Sequence, residues 1–126
     1  MDFEEDFKRK MINARQDRHL VSYMNNTKWR EIFDGVKSGE LEMPFRNKAV
    51  LGDECLASMD ITLMEHYGYS HIEWVDFRTK KKDNEEDLSK STLEYLSKFN
   101  IPHSVHKDYI RVWGYVEPGN NENIVV

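Results

Sequence analysis

Five histidines, one cysteine and 23 acidic side chains are the groups of this 126-residue chain that could do chemistry. His103 and His106 stand three apart, the spacing that sets two metal ligands on one helical face. Their surroundings read as extended, and in a strand that spacing sends the rings to opposite faces. With no third ligand nearby, no metal site is expected. His66 and His71 flank Tyr67-Gly68-Tyr69, where loop histidines beside tyrosines serve as surface hydrogen-bonders more often than as acid–base catalysts. Cys55 would need a base such as His66 to act as a nucleophile, and the adjoining Asp53 and Glu54 disfavour the thiolate. Asp76 alternates with Ile72 and Trp74 along a strand, which suits a satisfied partner of Lys or Arg better than an interface anion. No carboxylate spacing selects a glycosidase pair. The six glycines are scattered, with neither GxxxxGK nor GxGxxG among them. Catalytic residues and cofactors are therefore not expected, and a small hydrolase using His66, His71 and nearby carboxylates is the least favoured reading.

The elements that must position these groups fit one domain. At this length a chain buries a single modest core without staples. An apolar fraction of 39% with three Trp, six Tyr and six Phe argues for folding, although 33% of residues are charged. One cysteine permits no internal disulfide. No apolar run approaches the roughly 20 residues of a membrane span, so no membrane partner is expected. The acidic opening, Met1 through Asp6, is unlike a secretory signal. A cytoplasmic protein is the expectation.

Residues 3–24 read as a helix with Phe3, Phe7, Met11 and Ala14 in one narrow stripe, docking on the body in preference to extending from it. Asn26 or Thr27 caps a second helix, in which Trp29, Ile32, Phe33 and Val36 form a full apolar face before Gly39 stops it. Phe45 to Leu51 is extended, and the span from Cys55 to Tyr69 is open between a helix and a strand pair. The strand from His71 to Arg78 carries Ile72 and Trp74 on one face, Val75 and Phe77 on the other. Leu88, Thr92, Tyr95 and Phe99 mark a third helix, ended by Asn100 and Pro102. A closing hairpin turns at Lys107-Asp108. Its last strand, Tyr109 to Val116, has an aliphatic face and an aromatic face of Tyr109, Arg111, Trp113 and Tyr115, with Gly114 on the aliphatic side where a helix could approach. The expected fold is α+β: a small, mainly antiparallel sheet, two helices packed on one face, and an additional N-terminal helix. The domain plan is a helical extension over 1–24, a single α+β domain over 25–117 and a flexible tail over 118–126.

The formal charge of -5 disfavours nucleic acid, whose non-specific binding rests on Lys and Arg, and favours a basic protein partner. The acid is regional: from Glu40 to Asp87 there are twelve Asp or Glu and six Lys or Arg. A negative surface beside aromatic side chains suits such a partner. The candidate contact residues are Asp53, Glu54, Asp60, Glu65, Tyr67, Tyr69, Glu73, Asp76, Tyr109, Arg111, Trp113 and Tyr115.

Asn25-Asn26-Thr27-Lys28-Trp29-Arg30-Glu31-Ile32, Ile72 to Phe77, Leu93-Glu94-Tyr95-Leu96, Ile101-Pro102 and Ile110 to Tyr115 occur in an order that resembles a family of small bacterial domains of unknown function. The resemblance covers roughly residues 25–116, and its motifs are structural. Such domains look like the immunity proteins of contact-dependent inhibition and other polymorphic toxin systems. That resemblance implies a non-enzymatic protein that binds and neutralises a cognate basic toxin domain, such as a nuclease. A general protein-binding adaptor is the alternative.

Overall fold

The computed structural model describes residues 3–52, 54–55, 68–81, 86–120 and 123–125. Along the chain run α1 (Phe3–Asp17), β1 (Val21–Ser22), α2 (Asn26–Ser38), β2 (Arg46–Ala49), β3 (Glu54–Cys55), β4 (Ile72–Arg78), α3 (Ser89–Lys98), β5 (His103–Val105), β6 (Tyr109–Trp113) and β7 (Tyr115–Val116). Five strands form one antiparallel sheet in the order β3-β2-β4-β6-β5, and β1 pairs with β7 in a separate two-stranded sheet. The expected α+β architecture is what the chain adopts. No helix among the described residues is long and apolar enough to cross a membrane.

α2 begins where Asn25, in extended conformation, accepts a hydrogen bond from the Lys28 N–H through Oδ1. The capping residue is thus Asn25, and not Asn26 or Thr27 as the sequence suggests. The helix ends at Gly39, whose φ of 83° is the left-handed conformation that glycine takes without a steric penalty. Its stripe of Trp29, Ile32 and Phe33 packs with Tyr95 and Leu96 of α3 against Ile72, Val75 and Phe77 of β4 and Ile110 and Val112 of β6. α3 gives way to Asn100 in left-handed conformation, φ 54°, followed by the buried Ile101 and Pro102.

β4 departs from simple alternation. Its pairing with β2 shifts register between Lys48 and Ala49, leaving Glu73 as an extra residue opposite them. Such a bulge turns the chain by one residue. Ile72 therefore joins Val75 and Phe77 in the core under the helices, whereas sequence alternation puts it with Trp74 on the other face.

The hairpin is also interrupted. One strand from Tyr109 to Val116 is the sequence expectation; the structure ends β6 at Trp113, and Gly114 turns the chain into β7 against β1. A Cβ at Gly114 would collide with the Ile72 carbonyl oxygen and stand 3.0 Å from Trp29 Cζ2. Tyr115 is consequently not on the aromatic face with Tyr109, Arg111 and Trp113. It is buried in a second, smaller core with Met11 of α1 and Val50, flanked by Ala14 and Leu20.

α1 docks on the body through that second core. Its registration is reinforced by Arg18, just beyond the helix, which reaches Glu73 and Glu117. At the other terminus, Val125 exchanges backbone hydrogen bonds with His103, so the described part of the tail lies against β5.

Candidate functional site

The sheet places one polar row across four strands. Arg46 of β2 is opposite Asp76 of β4, Asp76 is opposite Arg111 of β6, and Arg111 is opposite Ser104 of β5. Because side chains directly across a sheet are close neighbours, opposite charges in one row find each other. Asp76, fully buried, accepts from Arg46 Nε at 2.7 Å and from Arg111 Nε and Nη2 at 2.8 and 3.0 Å. Two guanidiniums thus converge on one buried carboxylate.

Aromatic rings bracket those guanidiniums. Arg111 lies 3.6 Å from the centroid of Trp74, and Arg46 lies 4.7 Å from that of Tyr109. Arg78 sits 4.3 Å from the ring of Phe45. Each contact is a cation–π arrangement, favoured by the negative face of the ring. His106 stacks on Tyr109 with centroids 4.4 Å apart, and burial together with the nearby Arg111 pushes its pKa down. Ser104 Oγ accepts from Trp113 Nε1 at 2.8 Å and stands 2.8 Å from His106 Nε2, where its hydroxyl can donate. Ser104 is only 1% exposed, while His106 is half-buried at its side.

A second carboxylate is closed off beside the first. Glu73 accepts from Arg18 Nη1 and Nη2 at 2.7 and 3.0 Å and from Lys48 Nζ at 2.9 Å. Burial alone would raise its pKa, but the hydrogen bonds and charges of Arg18 and Lys48 outweigh it and hold the carboxyl below the usual range. The Arg18 guanidinium is pushed in the opposite direction by the same pairing with Glu73 and by Glu117.

The twelve contact candidates therefore separate into three groups. Tyr69, Glu73, Asp76 and Tyr115 are buried, with Tyr69 stacked against both Trp29 and Phe33 and the Tyr115 hydroxyl donating to the Ser70 carbonyl. Tyr109, Arg111 and Trp113 are half-buried on the outer face of the sheet, together with arginines rather than acids. Asp53, Asp60, Glu65 and Tyr67 lie outside the described residues, as do His66 and the side chain of Glu54. His71 is half-buried, which depresses its pKa. No three His, Cys, Asp or Glu among the described residues are grouped as metal ligands. The partners that sequence reasoning missed are Arg18, Arg46, Lys48 and Ser104. Pairing Arg46 and Arg111 with Asp76 requires the strand register, and a charge of each sign on three predicted strands is the only hint of it in the sequence.

A cavity of about 90 Å³ opens where the Asn-Asn-Thr-Lys-Trp start of α2 meets the Trp-Gly-Tyr end of β6 and β7. Its walls include Asn25, Asn26, Trp29, Tyr69 and Gly114. On the helical side of the molecule, the Tyr95 hydroxyl donates to the Glu31 carbonyl at 2.5 Å; burial, then Glu40, Glu31 and Asp34, raises its pKa.

Among known families, one described as a family of unknown function matches residues 9–119. The match begins inside α1, so it takes in most of the segment before Asn25. No curated protein and no solved structure matches the chain.

Proposed function

The chain belongs to that family, DUF6678, and from this starting point we propose that it is a non-enzymatic binding protein that engages a basic protein domain and blocks it, in the manner of an immunity protein and its toxin. The supporting observation is where the acid falls. From Ala49 to Phe77 the sequence holds Asp53, Glu54, Asp60, Glu65, Glu73 and Asp76 and not one Lys or Arg. Glu73 and Asp76 are neutralised by cations from other elements. Of the four acids of 53–65, Glu54 lies in the edge strand β3 opposite Lys48 of β2, and no Lys or Arg stands between or beside the others in sequence. A basic nuclease cleft is complementary to such a segment, because matched potentials speed encounter and set orientation.

The paired carboxylates favour a scaffold over a catalyst. An acid–base residue works best with a pKa near the operating pH, and Glu73 is driven away from that range. Co-expression with the toxin domain encoded beside the gene tests the reading. Protection of the host, lost when Asp53, Glu54, Asp60 and Glu65 are replaced by their amides, is the expected outcome. Failure to bind or protect against that domain would remove the immunity assignment, and stable capture of a host protein in its place would favour an adaptor.

A further inference from the structure

We propose that the cavity between the α2 N-terminus and Gly114 is a binding site for a small carboxylate. Two aromatic side chains in its wall carry polar atoms that the protein does not satisfy. Trp29 and Tyr69 are 3% and 5% exposed, and neither the Trp29 indole N–H nor the Tyr69 hydroxyl has a hydrogen-bond partner among the described residues. Among the described residues, no side-chain nitrogen or oxygen that is itself sealed from solvent lacks a partner. These two atoms therefore still meet solvent, and both side chains line the cavity. Water meets them in the free protein, and a ligand that pairs with both takes the place of that water.

The available groups are mainly donors. The indole nitrogen donates only, and the phenol can donate. Asn25 uses Oδ1 for the cap, which leaves its amide NH₂ as the free end. Asn26 and Thr27 open a helix of 13 residues, and their backbone N–H groups precede the first intrahelical bond, from Trp29 to Asn25. The helix dipole adds positive potential at that end. Among the described residues, none in the wall carries a charge of either sign. Convergent donors in an uncharged cavity select an acceptor with two oxygens close together.

The cavity, about 90 Å³, has room for a group the size of a carboxylate. The shared chemistry is a carboxylate, from a chain terminus, an acidic side chain or a free small acid.

Titration of the ¹⁵N-labelled full chain with sodium acetate, against sodium chloride at matched ionic strength, tests this. The Trp29 indole N–H and the backbone amides of Asn26 and Thr27 are expected to shift saturably with acetate and not with chloride. Tyr69→Phe, which keeps the ring stack, is expected to weaken acetate by about fivefold, the effect of one hydrogen bond. Equal responses to acetate and chloride, or an unchanged titration in the folded Tyr69→Phe protein, would overturn the proposal. A peptide with a free C-terminus and an amidated peptide carrying one aspartate then distinguish the two peptide sources, and a response to acetate alone identifies a free small acid.

Discussion

Arg111 grips Asp76 with two hydrogen bonds, Nε to Oδ1 at 2.8 Å and Nη2 to Oδ2 at 3.0 Å, while lying 3.6 Å from the ring of Trp74. Ring and carboxylate belong to one strand, two residues apart, so a single guanidinium locks β6 against β4 through both a charge and a π face. With Arg46 approaching Asp76 from β2, the same carboxylate ties three strands together.

Asp76→Asn is therefore expected to destabilise the fold by about 3 kcal/mol, because removing one partner strands the others away from water. Urea denaturation reads this. Replacing Asp76 and Arg111 together by apolar residues of similar volume should cost less than the sum of the two single changes, since the two side chains are in direct contact.

Glu73 gives the fold a dependence on acid. Its folded pKa lies below the ordinary glutamate value of about 4.3. The stabilisation is present above that value and is lost as pH falls through the lower folded pKa. Thermal melts across that window should show stability dropping, and Lys48→Met should flatten the drop by removing one of the charges that depress the pKa.

Gly114→Ala should destabilise by about 2 kcal/mol, within the usual range for overpacking. The atoms met are the Ile72 and Glu73 carbonyl oxygens and the Trp29 ring, so relief requires movement of backbone. Calorimetry compares it with Gly52→Ala, where the nearest heavy atom to the new methyl would be 3.6 Å away.

Asn25→Ala removes the side-chain cap from α2 and should cost about 1 kcal/mol. Asn25→Asp should preserve stability, because a carboxylate accepts the same N–H and suits the positive end of the helix. Chemical denaturation of the two variants side by side checks both signs.

Local signals carried much of this architecture. The apolar stripe of α2, its glycine stop, the end of α3 before Pro102 and the turn at Lys107-Asp108 depend on residues within one or two turns of each other, and each is found where the spacing puts it. What escaped depends on contacts between distant segments. The bulge at Glu73 is a property of pairing with β2, and it moved Ile72 to the other face. The break at Gly114 follows from close packing on Trp29 and Ile72, and it took Tyr115 away from the aromatic strand. Arg18 finds Glu73 across 55 residues of sequence. In the candidate site, Asp76 is legible as a satisfied carboxylate, while acid and aromatic side chains sharing one surface is not what the described residues present: the outer sheet face pairs its rings with arginines.

The most direct measurement is calorimetric titration of the full chain with a purified basic domain, sought as the proposed partner among the products of the neighbouring genes, at low and high salt, using wild type and the variant in which Asp53, Glu54, Asp60 and Glu65 are amides. The account predicts one-to-one binding with a dissociation constant of about 10 nM or tighter, within the range of specific interfaces. It also predicts weakening with salt and a loss of at least about tenfold in the variant. No binding, or binding that is unchanged by neutralising those four carboxylates, would contradict it.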